Sequence, residues 1–165
     1  MIIILLLIIT IIVYRTIKKQ KAYLRLYNTL IDIANLENVI EKKKCKAFDY
    51  EVRYNDKIYL IKMIYHPACY EINVNAKDYF QVNRGAVSSR KSGEKMDNVY
   101  DLINFNLEEN NYPKNTVKLY VVYPYSKTLL KVLNECEYQF IKPNTNIYGC
   151  KMTNFTELKD NFDLF

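Results

Sequence analysis

The stretch Phe48–Tyr65 reads FDYEVRYNDKIYLIKMIY, two runs of alternating apolar and polar residues on either side of Asn55 and Asp56. Alternation with a period of two is typical of a strand that is buried on one face. Asn and Asp also tolerate the left-handed backbone conformations that tight turns require. The stretch therefore predicts a β-hairpin with Asn55 and Asp56 at its turn.

A third strand is predicted at Tyr70–Val74, shortly after the hairpin. Ile72 and Val74 would face the core, and Glu71 and Asn73 would face solvent, because successive side chains of a strand point to opposite faces. Three strands joined by short connections predict an antiparallel meander.

The second half of the chain predicts a crossover unit. Val117–Tyr123 is apolar enough for a buried strand, and Ser126 would cap a helix at Lys127–Glu137. Tyr138–Ile141 again has the pattern of a strand. Strand, helix and strand in this order predict a mixed sheet, so the expected fold class is α/β (α+β).

Three more elements complete the predicted domain at 47–165. A helix is expected from an N-cap at Asp97, a last strand near Ile147–Thr153, and a short helix at the end of the chain.

An apolar run, Ile2–Tyr14, begins the chain, and only Thr10 interrupts it. We expect a transmembrane helix at 1–17, although thirteen helical residues span about 20 Å and the hydrocarbon core is about 30 Å thick. A cleaved signal peptide would need basic residues before the run, and an interfacial helix would need a polar face. The run lacks both features.

Five cations follow this run with no acidic residue among them: Arg15, Lys18, Lys19, Lys21 and Arg25. By the positive-inside rule they predict a single-pass cell-membrane protein with its N-terminus outside, its C-terminal domain cytoplasmic and the lipid bilayer as a partner. The segment 18–46 is expected to form a basic juxtamembrane region and an amphipathic helix. These cations account for +5 of the net charge of +6, so the remainder is nearly neutral.

A polar loop, Gly85–Lys95, reads GAVSSRKSGEK and combines small residues with cations. The basic residues in and beside it are Arg84, Arg90, Lys91 and Lys95. Such a loop could bind phosphate oxygens through its side chains and backbone N–H groups. It is the predicted site for a nucleic-acid or protein partner.

The predicted order of helix, three-strand meander, helix and strand resembles the restriction-endonuclease-like fold of the PD-(D/E)XK nucleases. The resemblance covers roughly residues 26–123, where Asp56 precedes Glu71-Ile72-Asn73 at a plausible separation. It implies that Asp56 and Glu71 would bind Mg²⁺. Asn73 occupies the position of the motif lysine, so Lys62 or Lys77 would have to be displaced into that role.

Two functions are consistent with these patterns. The first is a non-catalytic, membrane-anchored domain that binds nucleic acid or protein through the basic loop and needs no cofactor. The alternative is a membrane-bound Mg²⁺-dependent nuclease. A zinc enzyme is not indicated, because the four cysteines are widely spaced and the chain has one histidine.

Replacing Arg90 and Lys91 by Ala tests the basic loop. If they contact phosphates, affinity for double-stranded DNA should fall and the salt dependence should flatten by up to about two units, because fewer counterions are released. Binding titrations at several salt concentrations measure both effects. No binding by the unchanged chain at low salt would contradict the prediction.

Overall fold

The computed structural model describes residues 2–41, 47–66, 71–74, 79–83, 99–101, 112–134 and 137–165. It is a mixed α+β structure with few helices among these residues and two five-stranded sheets. Helix α1 covers Ile2–Ala34, and α2 covers Leu158–Asn161. The first sheet contains, in spatial order, β1 (Val39–Glu41), β2 (Tyr50–Tyr54), β3 (Lys57–Tyr65), β7 (Thr116–Tyr123) and β10 (Cys150–Asn154). The second contains β6 (Val99–Asp101), β5 (Tyr79–Asn83), β4 (Glu71–Val74), β8 (Thr128–Val132) and β9 (Tyr138–Phe140).

The hairpin prediction is confirmed. β2 and β3 pair antiparallel, with Tyr54 opposite Lys57. The two turn residues have left-handed backbones, with φ 46° at Asn55 and 60° at Asp56. Two such residues in a row match the twist of the strands that they join. The turn chemistry therefore fixes the register of the hairpin.

The predicted three-strand meander is wrong. β4 does not continue the hairpin but belongs to the second sheet, where it pairs antiparallel with β5 and parallel with β8. β3 instead pairs with β7 in a parallel ladder of eight residue pairs. A strand that is apolar on both faces favours a central position with neighbours on both sides, and β3 has this character.

The predicted crossover helix at Lys127–Glu137 is also wrong, because Thr128–Val132 forms strand β8. The main-chain N–H of Ser126 donates to Asn154 Oδ1 at 2.8 Å, and Asn154 Nδ2 donates to the carbonyl oxygen of Ser126 at 3.0 Å. Ser126 is thus tied to the end of β10 and does not cap a helix.

Most of the other elements predicted for the second half of the chain are confirmed. The strands expected at 117–123, at 138–141 and near 147–153 are confirmed as β7, β9 and β10, and a short helix, α2, follows. A helix is expected from Asp97, but Val99–Asp101 forms strand β6. The remaining residues of that expected helix lie outside the described ranges.

The first sheet lies between α1 and the second sheet. Tyr59, Ile61 and Met63 of β3 pack with α1, whereas Leu60, between them, joins the core against the second sheet. Successive residues of a strand face opposite sides, so one strand supplies both cores. The structure is therefore layered as helix, sheet and sheet.

Helix α1 joins the first sheet through its C-terminal half. Ala22, Leu26, Leu30 and Ala34 recur every four residues and are at most 3% exposed. Such a spacing places all four side chains on one face of the helix. The amphipathic helix predicted for this region therefore docks on the sheet, but it ends at Ala34.

None of the described helices is both long and apolar enough to cross a membrane. This finding contradicts the predicted transmembrane helix at 1–17 and the single-pass, cell-membrane localisation derived from it. The physical reason is that the apolar part of α1 ends at Tyr14, and cations already appear at Arg15, Lys18 and Lys19.

The docking of α1 can be tested with one substitution at two positions. Leu26 is fully buried and Leu24, on the same helix, is 58% exposed. Leu26→Ala should lower the free energy of unfolding by about 2–5 kcal/mol, because it removes packed methyl groups and leaves a cavity. Leu24→Ala should change it by less than about 0.5 kcal/mol. Urea denaturation measures both, and equal effects would contradict the docking.

Candidate functional site

Asp56, the first predicted metal ligand, is an exposed residue of the β2–β3 turn. Its main-chain carbonyl oxygen accepts a hydrogen bond from Asn115 Nδ2. The turn also lines an open pocket of about 610 Å³ at the C-terminal end of α1. The cations that line this pocket have partners within the protein. Lys57 Nζ donates to the main-chain oxygen of Phe165 at 2.8 Å. Arg53 Nη2 lies 3.6 Å from Glu51 Oε1.

Glu71, the second predicted ligand, lies on β4 and is 1% exposed, and Asn73 is 2% exposed. The expectation that this face meets solvent is therefore wrong. Asn73 Nδ2 donates to Glu71 Oε1 at 2.9 Å. A buried carboxylate is costly unless it is hydrogen bonded, so this amide stabilises Glu71 in its position.

The two predicted ligands belong to different parts of the fold. Asp56 precedes β3 in the first sheet, and Glu71 follows that strand and begins β4 in the second. The nine residues of β3 extend about 30 Å between them along the chain. Within the described ranges, no group of three or more His, Cys, Asp or Glu residues could hold a metal ion.

Lys62, one of the two candidates for the displaced lysine, forms an ion pair with Asp49, whereas Lys77 lies outside the described residues. Its Nζ lies 3.1 Å from Asp49 Oδ1, and the two side chains are only 12% and 15% exposed. Asp49 Oδ2 also accepts the main-chain N–H of Met63 at 2.8 Å. The sequence interpretation missed Asp49, although the hairpin register places residue 49 opposite residue 62.

All five cations predicted to follow the apolar run lie on helix α1. Four precede the part of the helix that packs on the first sheet, and Arg25 lies within that part: the four are Arg15, Lys18, Lys19 and Lys21. Lys18 Nζ is 4.6 Å from the ring centroid of Tyr14. Arg25 Nη1 donates to the hydroxyl of Tyr123 at 3.2 Å, which links the helix to β7. The predicted basic loop, with Arg84, Arg90, Lys91 and Lys95, lies outside the described residues.

Three tyrosines, Tyr23, Tyr27 and Tyr50, line a second pocket of about 410 Å³ between α1 and β2. Tyr27 and Tyr50 stack at 5.9 Å between centroids, and the hydroxyl of Tyr50 donates to the carbonyl oxygen of Tyr23 at 3.1 Å. Burial, with a smaller contribution from Asp49, raises the pKa of Tyr23 to about 12. Burial also raises the pKa of Tyr50. Tyr23 and Tyr50 therefore keep their hydroxyl protons, and together with Tyr27 they join the helix to the sheet.

The edge strands of the two sheets differ in charge. Three of them each carry one charged residue: Glu41 in β1, Lys151 in β10 and Asp101 in β6. β9, with the sequence Tyr138-Gln139-Phe140, carries none. Charges on edge strands discourage pairing with other chains, so among the strands that the structure describes β9 is the edge without this protection.

Two backbone hydrogen bonds determine which opposed residues of β8 and β9 are hydrogen bonded to each other. The N–H of Leu133 donates to the oxygen of Glu137 at 3.0 Å, and the N–H of Ile141 donates to the oxygen of Leu129 at 2.9 Å. In an antiparallel pair, hydrogen-bonded residues alternate with non-bonded ones. Gln139 is therefore the residue of β9 whose backbone bonds to β8.

Tyr138 and Phe140 consequently direct their main-chain N–H and C=O groups away from β8, towards the open edge. Their side chains, on the same face of the strand, are 55% and 68% exposed. The edge thus offers four backbone groups and two aromatic side chains. This combination was not predicted, because the sequence indicates a strand but not its place in a sheet.

Comparisons with protein-family models, with curated proteins and with solved structures found no match.

Replacing Lys62 by Met tests whether this lysine is structural. The substitution leaves the carboxylate of Asp49 largely buried without its cation, which should lower the free energy of unfolding by about 3 kcal/mol. Lys159→Met is the matched control, since Lys159 pairs with Asp32 at 3.9 Å but both side chains are about two-thirds exposed. The control should cost less than about 1 kcal/mol. Equal, small losses in urea denaturation would contradict a structural role for Lys62.

Proposed function

We propose that this protein is a non-catalytic binding domain that accepts an extended segment of a partner protein as an additional strand beside β9. The observation that carries the proposal is the uncharged open edge, where the backbone groups of Tyr138 and Phe140 point outwards.

The chemistry of this edge favours an extended peptide over a small molecule. An added strand satisfies a row of backbone donors and acceptors, and its side chains reach the neighbouring strand at alternating positions. The two exposed side chains are aromatic, a residue class enriched where proteins bind one another. We therefore expect a partner segment with apolar residues at every second position, packed beside Tyr138 and Phe140.

The nuclease alternative has less support. It requires Mg²⁺ held by Asp56 and Glu71, with Lys62 at the reacting phosphate. Lys62 instead pairs with Asp49, and Asp56 has a structural place in a turn. The resemblance to the restriction-endonuclease-like fold and the role of the basic loop in binding nucleic acid stay predictions.

Selection from a random peptide library displayed on phage tests the proposed edge. Peptides that bind the full chain should show alternating apolar residues. Tyr138→Lys and Phe140→Lys should each weaken binding by about tenfold or more, because a charge on an edge strand opposes strand addition. Tyr125→Lys is the control, since Tyr125 is also an exposed aromatic residue, at 44%, but lies in the connection between β7 and β8.

Amide hydrogen exchange followed by NMR gives a second measurement. In the free protein the amides of Tyr138 and Phe140 should exchange faster than that of Gln139, and a bound peptide should slow both. Peptides that bind equally well to both lysine variants, or that leave these two amides unprotected, would show that the partner binds elsewhere.

A further inference from the structure

The N-terminal half of α1 carries a large apolar surface. We call residues 3–17 the projecting segment. Each of its aliphatic side chains is 44–79% exposed, and this exposure occurs on every side of the helix. From Ile3 onwards, the first buried residue of α1 is Ala22. The projecting segment therefore extends beyond the layered domain, by about 20 Å at the usual rise of a helix.

The two threonine hydroxyls of the projecting segment are hydrogen bonded within the helix itself. The hydroxyl of Thr10 donates to the carbonyl oxygen of Leu6 at 2.8 Å. That of Thr16 donates to the carbonyl oxygen of Ile12 at 2.9 Å. Hydroxyls that bond to their own helix present mainly methyl groups outwards. The two threonines thus do not divide the apolar surface.

The size of the apolar surface of the projecting segment indicates that another molecule covers it. Its exposed aliphatic groups amount to on the order of 1,000 Å², whereas the largest apolar patch of a monomeric protein is about 300–600 Å². A stable interface buries about 800 Å² on each partner. One neighbouring helix would cover only one side of the projecting segment, so a bundle of several helices fits it better.

Two features favour other copies of this chain as the occupant. The projecting segment lacks the polar face of a helix that lies on a membrane surface, since exposed aliphatic side chains occupy every side of it. Ile and Leu at successive core positions also favour bundles of about three or four helices over pairs. Ten of the fifteen residues of the projecting segment are Ile or Leu.

We infer that the projecting segments of several copies pack together into a helical bundle and assemble the protein into a discrete oligomer. The layered domains lie outside the bundle, because each is attached to its segment by the docked half of α1. This assembly is independent of the β9 edge, which belongs to the second sheet.

Salt gives the assembly a distinctive signature. Arg15, Lys18, Lys19 and Lys21 lie at the base of each segment, and the stretch 2–25 has no acidic residue to offset them. Copies in one bundle therefore repel one another at this base, and salt screens that repulsion. Association should strengthen as salt rises, whereas binding of these cations to a polyanion should weaken.

Sedimentation of the full chain in detergent-free buffer, over a range of protein concentrations, tests the inference. We expect a single oligomer of about three or four copies. The double variant Leu5→Lys, Ile9→Lys should raise the concentration at half-dissociation by about tenfold or more, because charges are costly in an apolar interface. The matched control is Leu24→Lys, Leu36→Lys, whose positions are 58% and 63% exposed on and just after the same helix.

Three results would overturn the inference. One is a monomer at every concentration, and another is a broad range of sizes without a defined stoichiometry. The third is flotation of the monomeric chain with phosphatidylcholine vesicles, which would make lipid the occupant. Circular dichroism shows whether each variant stays folded. Since the lysines enter an exposed stretch, an unfolded Leu5→Lys, Ile9→Lys variant would also contradict the inference, because it would place that stretch within the domain.

Discussion

The parallel pairing of β3 with β7 joins eight residue pairs, from Ile58 with Thr116 to Tyr65 with Tyr123. The same two passes of the chain then enter the second sheet, where β4 and β8 also pair in parallel, from Glu71 with Thr128. The N–H of His66 donates to the oxygen of Tyr123 at 2.8 Å and keeps the two passes together at the exit. Each sheet is thus built outwards from a pair of adjacent parallel strands, β3 and β7 in the first sheet and β4 and β8 in the second.

The elements that could be predicted from sequence are those fixed by local chemistry. Asn55 and Asp56 demand a tight turn, and the alternation around them sets the faces of two strands. The crossover helix failed for a definable reason. Leu129, Leu130 and Val132 fit one face of a helix, but they fit a short strand equally well, and periodicity cannot distinguish the two over so few residues. The pairing to β4 decides the matter, and it is a contact between distant parts of the chain.

The candidate sites show the same division. The ion pair of Asp49 and Lys62 could have been derived from the hairpin, because a two-residue turn determines which residues face each other. The burial of Glu71 and Asn73 could not, since alternation reports two faces but not which of them is covered. The openness of β9 depends on the order of strands in its sheet. A short motif such as Tyr138-Gln139-Phe140 contains no information about that order.

Helix α1 combines a half that packs on the sheet with a half that does not. Starting a helix is unfavourable, and isolated helices shorter than about 12–15 residues are marginal in water. The half from Ala22 to Ala34 is held by tertiary packing, so it acts as a permanent nucleus from which hydrogen bonding propagates towards Ile2. In a single unassembled chain, the order of the N-terminal half consequently depends on the core of the domain. Loosening Leu26 or Leu30 in such a chain would melt residues that lie more than two turns away and touch nothing in that core.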